Sequence, residues 1–313
     1  MKLFAYRGES ERYPENTMLA FREALKSGAD GIQLDVHLSR DHHPVIFHDD
    51  SLARMTDGIG FIRHHSIQDI ESYRLKQEDH LPEQHIPLFE EYLAWAKKLP
   101  HETLIHLKND SFYYPQLEQI VIELLDNYAM TERVILSSHR LESLKTIREH
   151  RPDIRLAWYV DSPSEEQLAE LKELEIHWIL PHVNAINKKL VTLIREYGLQ
   201  AIPYVVSNRL DMEKIEPVNP SILLTTDVMM MRTELNMTER PFSDEQLKFA
   251  EEPDSSEKQD SEKITGRARF LSGKERKKNR SSILSVILSM AICVTIASAI
   301  AGVFMNLLSR FIK

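Results

Sequence analysis

Between Leu3 and Thr226, short runs rich in β-branched and aliphatic residues alternate with stretches whose apolar positions recur every three or four residues. The runs Leu3–Tyr6, Gly31–Leu38, Thr103–Lys108, Val134–Ser138, Arg155–Val160, Trp178–Pro181, Ala201–Val206 and Ile222–Thr226 have the length and bounds of buried strands. Most gaps between them carry the period of a helix. In Asn16 to Ser27, for example, Met18, Phe21 and Leu25 share one face and Gly28 offers a stop. Eight strand–helix units in about 230 residues predict an α/β fold, a (β/α)₈ TIM barrel over residues 1–232. The second unit is irregular: Pro44–His48 reads as an additional strand, and Asp49 to about Pro87 as a long insertion before the third barrel strand.

The pattern changes after Arg232. Residues 241–263 are crowded with Asp, Glu, Ser and Lys, too polar to offset their own chain entropy by burial. Residues 233–280 are therefore expected to form a C-terminal tether, acidic then basic and largely disordered, with room for short helical pieces. From Ser281 to Ser309 there is no charged residue. About 20 apolar residues suffice to cross a bilayer, so 281–309 predicts one transmembrane helix. Lys274, Arg276, Lys277, Lys278 and Arg280 precede it, and only Arg310 and Lys313 follow. The positive-inside rule then gives a single-pass membrane protein with its N-terminal domain in the cytoplasm. The basic cluster can also attract anionic lipid headgroups, although a plain topology signal accounts for it as well. Ser298 and Gly302 have the small-xxx-small spacing that permits a helix-mediated homodimer, a pattern common in membrane helices.

Charge and cysteine content narrow the function classes. The net charge is −9 with no basic stripe in the folded part, which argues against a nucleic-acid partner. The single cysteine, Cys293, rules out a disulfide framework within the chain and fits a reducing compartment. The opening MKLFAYRG has too short an apolar stretch for a signal peptide, so no export signal is expected.

In a barrel of this type the site lies at the C-terminal ends of the strands. The polar residues expected there are Tyr6 and Arg7, Gln33 and Asp35, His48 and Asp49, His106 and Lys108, and Thr226 and Asp227. Gln33 and Asp35 alternate with apolar neighbours, as do His106 and Lys108. A period of two puts each pair on one face, here the barrel interior, where an unpaired charge is costly. A purely structural barrel has little reason to aim four polar groups inward near one end.

YRGESERYPENTMLAF, GADGIQLDVHLSRDHHPVIFHDD and IHLK, in that order, resemble the glycerophosphodiester phosphodiesterase family, with LSSHR, YVVSN and TTD similar to its later landmarks. The resemblance runs from Leu3 to about Asp227. It implies hydrolysis of a phosphodiester between glycerol and a headgroup, assisted by Ca²⁺ or Mg²⁺ on three carboxylates, with two histidines as general base and acid. Hard oxygens suit such cations, which stabilise phosphoryl charge, and histidines titrate near neutral pH. This chain departs from the family pattern at three positions. Tyr6 stands where the first His belongs, and Gln33 and His106 stand where two of the three carboxylates belong. Carried over residue by residue, the catalytic positions are His48 and Tyr6, and the phosphate-binding ones Arg7 and Lys108. The metal positions are Asp35, Gln33 and His106, a weakened or altered set beside the retained Glu15 and Asn16. One Asp with His ligands would suit Zn²⁺ or Mn²⁺ better than Ca²⁺ or Mg²⁺, or the site holds no metal. A tyrosine, with a pKa of about 10, is a poor base near neutrality.

Three readings follow. One is a membrane-tethered family member with weakened or lost hydrolysis that still binds a glycerophosphodiester or phospholipid headgroup. Another is an active hydrolase with an altered metal or substrate that relies on His48. In the third, the chain is a non-catalytic membrane scaffold. Metal content and ligand binding without metal separate them.

Overall fold

The computed structural model describes residues 1–238 and 242–251. The expected transmembrane helix at 281–309 and the tether beyond 251 lie outside the described residues. Among the described residues, no helix is long and apolar enough to cross a membrane.

The elements follow in chain order: β1 (Lys2–Tyr6), α1 (Met18–Lys26), β2 (Gly31–Leu38), β3 (Pro44–Ile46), α2 (Ile67–Glu71), α3 (Phe89–Ala96), β4 (Glu102–Leu107), α4 (Leu117–Asn127), β5 (Val134–Ser138) and α5 (Leu141–His150). They continue with β6 (Arg155–Tyr159), α6 (Glu165–Glu173), β7 (Trp178–Leu180), α7 (Lys188–Glu196), β8 (Gln200–Ala201), α8 (Arg209–Ile215), β9 (Ile222–Thr225), α9 (Val228–Glu234) and α10 (Asp244–Glu251). Eight strands pair in parallel in the order β8-β7-β6-β5-β4-β2-β1-β9, and β3 pairs antiparallel with β2 off that path. The ring is completed where Leu224 N donates to Pro203 O and Val206 N to Leu224 O, both at 2.9 Å. This is the expected TIM barrel. The strand expected over Ala201–Val206 shortens to two residues because Pro203 cannot donate to a ladder.

Strand parity sorts the core. Phe4, Leu104, Ile135, Ala157, Leu180, Ile202 and Leu224 fill the barrel, the Phe, Leu and Ile side chains each contributing about 1.5–3 kcal/mol by burial. Gly31 sits opposite Phe4, and a Cβ there would come within 2.5 Å of the ring, so the pair works only as large against none. Leu3 faces outward to Val206, Leu223 and Met231. α1 begins at the Thr17 cap, whose hydroxyl accepts from Ala20 N at 3.1 Å, and the chain leaves it through Gly28 at φ 95°.

One expected segment gains detail and another differs from expectation. The insertion after β3 packs a core of its own: Val45, Phe47, Leu52, Ile62, Ile70, Leu75 and Ile86. Among the described residues, the compact unit also runs past Arg232, through α10. α10 lies in the segment expected to be tether, yet it packs against α1 and α3 with Leu247 and Ala250 buried, and Phe242 meets His101 edge-on at 6.3 Å. A few apolar residues at helical spacing were enough to dock a stretch whose composition reads as solvated.

His101 yields a pH prediction. It is buried, its Nε2 lies 3.0 Å from the Tyr92 hydroxyl, and burial pushes its pKa down to about 3. The unfolded chain takes up a proton at about pH 6.5 that the folded chain refuses. The stability tied to this site is therefore complete above about pH 6.5 and falls by roughly 1.4 kcal/mol per pH unit as pH drops toward 3. His101→Gln should make the urea-unfolding free energy less steep in pH over that window. An unchanged slope would show that His101 is not the linked group.

Candidate functional site

The polar residues gather where parity puts them, at the C-terminal ends of β1, β2 and β4. Tyr6 pairs in register with Gln33, and Asp35 with His106. Asp35 is fully buried and every direction around its carboxylate is occupied. Oδ1 accepts from His106 Nδ1 at 2.9 Å and from Gln33 Nε2 at 3.2 Å. Oδ2 accepts from Asn16 Nδ2 at 2.9 Å and lies 3.3 Å from Arg7 Nε, without the alignment of a hydrogen bond. Burial pushes the Asp35 carboxyl up, but the His106 hydrogen bond and the Arg7 charge outweigh it and hold it well below the usual carboxylate range. Burial pushes His106 down to about 4 against the pull of Asp35. His106 is thus neutral at pH 7 with its proton on Nδ1. Its Nε2 is left buried without a partner, as is the Tyr159 hydroxyl, whose ring centroid lies 4.4 Å from that of His106.

Arg7 is held in the left-handed region at φ 60°, a conformation a non-glycine residue keeps only when its surroundings fix it. Its N–H donates to Gln33 O at 3.0 Å. Its guanidinium donates to the Tyr6 hydroxyl at 2.7 Å and to Glu15 at 3.3 Å. Burial pushes the Tyr6 pKa up to about 12, so Tyr6 is protonated at neutral pH and is no general base there. Lys108 is 9 % exposed, and its ammonium makes no hydrogen bond or ion pair with any described residue. Its charge helps hold Asp110 below the usual range, after the opposing effect of burial.

His48 reaches the same mouth by another route. β3 runs back down β2, and Phe47 N donates to Asp35 O at 3.0 Å, which sets His48 beside the Asp35 level. His48 Nδ1 lies 2.7 Å from Asp49 Oδ1. Asp49 and Glu15 are both held by Arg54, an insertion residue that the sequence reading missed. His37, one of the buried polar groups behind the site, is pushed down to about 4 by burial; it lies 3.1 Å from the Tyr114 hydroxyl and 3.2 Å from His48 O. Two expected residues do not join the group. Asp227 caps α9 and pairs with Arg12, and Thr226 bonds to Glu11.

A divalent ion at Gln33, Asp35 and His106 does not fit this arrangement. The one carboxylate there already has donors around both oxygens, while Ca²⁺ or Mg²⁺ would want several free anionic oxygens. Among the described residues, Glu15, His48 and Asp49 are the group whose ligand atoms come within 4.8 Å of one another and could hold a metal ion. There the Arg54 guanidinium already binds both carboxylates.

Known proteins resemble this chain in sequence and fold. It is 29% identical over 227 residues to a glycerophosphodiester phosphodiesterase of Caldanaerobacter subterraneus, covering 72% of this chain and 93% of that protein. It is 31% identical over 214 residues to one of Bacillus altitudinis, covering 66% and 86%. Among solved structures, it matches an Oleispira antarctica phosphodiesterase in complex with the product sn-glycerol-3-phosphate, with TM-score 0.67 and 23% identity over 75% of this chain and 97% of that one. The profile of the glycerophosphoryl diester phosphodiesterase family matches residues 7–230, and the chain belongs to that family.

Proposed function

We propose that the protein is a membrane-tethered phosphodiester binder. In this reading it has kept the family's anion-binding groups and has lost or weakened the family's metal-assisted hydrolysis. The observation that carries this is the Lys108 side chain, 9 % exposed at the barrel mouth, whose ammonium makes no hydrogen bond or ion pair with a described residue and has the Asp110 charge as its neighbour. A buried cation is costly unless an anion meets it, and a phosphodiester or phosphate monoester supplies one. Arg7, His106 Nε2 and the Tyr159 hydroxyl add further polar groups at the same end of the barrel. Loss of hydrolysis is supported by the protonated Tyr6 and by the donors that fill the Asp35 coordination directions. Tethering is supported by the uncharged run 281–309, and a cytoplasmic barrel by the basic residues that precede it.

One observation favours a second reading, an active hydrolase with altered metal or substrate. His48 is partly exposed and aligned by Asp49 at 2.7 Å, an arrangement that suits proton transfer.

Calorimetry with glycerophosphocholine and with glycerol 3-phosphate, in chelator-treated buffer, tests the binding. The expected result is saturable binding that Lys108→Ala weakens roughly 10- to 100-fold, the worth of a charge-assisted hydrogen bond. Hydrolysis of the same diester across Ca²⁺, Mg²⁺, Mn²⁺ and Zn²⁺ completes the test. Turnover that His48→Ala abolishes would establish the second reading instead. Neither binding nor turnover would leave the scaffold.

A further inference from the structure

Apart from Met1, the most exposed large apolar side chains among the described residues all lie at one end of the barrel. Ile59 (79% exposed), Leu210 (68%), Tyr113 (56%), Met229 and Phe61 belong to the segments that follow β3, β8, β4 and β9, on the side of the strands' C-terminal ends. A one-sided distribution is unlike the scattered apolar residues of an ordinary soluble surface. The Ile59–Phe61 turn is joined to the β4–α4 loop, with the Phe61 and Phe112 rings 5.1 Å apart. Two arginines lie over these rings: Arg63 is 4.9 Å from the Phe112 centroid and Arg140 is 5.2 Å from that of Tyr113. Arg63 pairs with no described carboxylate, and the nearest carboxylate oxygen to Arg140 is that of Glu142 at 3.9 Å.

Exposed aromatic and aliphatic side chains with guanidinium groups laid over the rings, one of them held by no described carboxylate and the other only at 3.9 Å, are the chemistry of a bilayer interface. The rings enter the headgroup–acyl boundary while the guanidinium groups meet lipid phosphates. We propose that the rim of the barrel mouth docks on an anionic lipid surface. In this arrangement Ile59, Phe61, Tyr113 and Leu210 insert, and Arg63 and Arg140 contact the phosphates. On the proposed reading of 281–309 as a membrane anchor, the roughly 30 residues between Glu251 and Ser281 set an upper limit of about 100 Å on the tether, which does not restrict which end of the barrel meets lipid. The inference goes beyond the pocket's ligand and does not require the pocket to bind one.

The test uses the full chain carrying Cys293→Ser and one new cysteine, in separate variants Ile59→Cys, Tyr113→Cys, Leu210→Cys and Glu173→Cys. Each carries an environment-sensitive fluorophore. Glu173 is exposed at the end of α6, at the opposite end of the barrel, and serves as the control. All four sites are on the surface, so folding is not at risk. In vesicles of phosphatidylcholine and phosphatidylserine, the three rim probes should shift to the blue. Nitroxide-labelled lipid should quench them several-fold more than the Glu173 probe, and Arg63→Glu with Arg140→Glu should remove the difference. Equal quenching at all four sites would overturn the proposal, since tethering alone brings every site near lipid. A rim shift that grows with protein concentration in lipid-free detergent would also overturn it, in favour of a second copy of the chain on this face.

Discussion

Tyr6→His, Gln33→Glu and His106→Glu, introduced together, should turn the protein into a metal-dependent hydrolase of glycerophosphodiesters. The substitutions give the Asp35 site two more carboxylates and replace a phenol held near pKa 12 by an imidazole that titrates near neutrality. Restored acid–base chemistry should raise turnover by at least about 10²- to 10⁴-fold over the parent, and a chelator should remove the gain. Stability provides an independent readout. Without metal, three carboxylates in one buried site repel, so the variant should melt lower than its parent. A bound cation at 100 times its dissociation constant would return about 2.7 kcal/mol. A folded variant that gains metal-dependent stability but no turnover would show that the pocket has lost more than these three side chains. One that gains neither would show that the Arg7 and Asn16 contacts to Asp35 keep the cation out.

Asp35→Ala should be the most destabilising single change in the site. It removes the common acceptor of His106, Gln33 and Asn16 and leaves Arg7 with Glu15 and the Tyr6 hydroxyl as its remaining partners. Breaking a buried ion pair from one side costs roughly 3–5 kcal/mol, because the partner charge stays behind. Urea unfolding of the two proteins measures the difference. A loss under about 1 kcal/mol, the scale of an exposed pair, would mean that water already reaches the carboxylate. Asp35→Asn, which keeps the shape and loses the charge, should fall between.

The barrel was legible because its strands are marked twice, by β-branched runs and by inward parity. Gln33, Asp35, His106 and Lys108 were placed by that parity alone, since Gln33 and Asp35 differ by two positions and therefore face the same way. Tyr6, Arg7 and His48 were placed by their positions just after strands, where periodicity carries no information, and the family resemblance supplied their expected roles. Arg54 was not legible. It reaches Glu15 and Asp49 only because the insertion folds back over its own small core, a tertiary fact with no local signature. Tyr159 could have been found, since it shares the inward parity of Ala157 on β6. Glu9 is buried against the first amides of α9, and burial pushes its pKa up to about 7, yet it lies in a segment that reads as an ordinary polar loop. The tether reading left room for a helix such as α10 but not for its docking, because composition over twenty residues says little about the few that pack.

The first strand of the barrel pairs with the last, Lys2 opposite Ile222 through Ala5 opposite Thr225. During synthesis, then, one edge of β1 has no partner until β9 has left the ribosome. At roughly 5–20 residues per second that interval lasts about 10–45 seconds. Throughout it, the growing sheet carries an open, apolar parallel edge of the kind prone to intermolecular pairing. A nascent chain of this protein is thus exposed to mispairing for most of its translation, and a chaperone that shields strand edges would matter more to its yield than one that accelerates late folding.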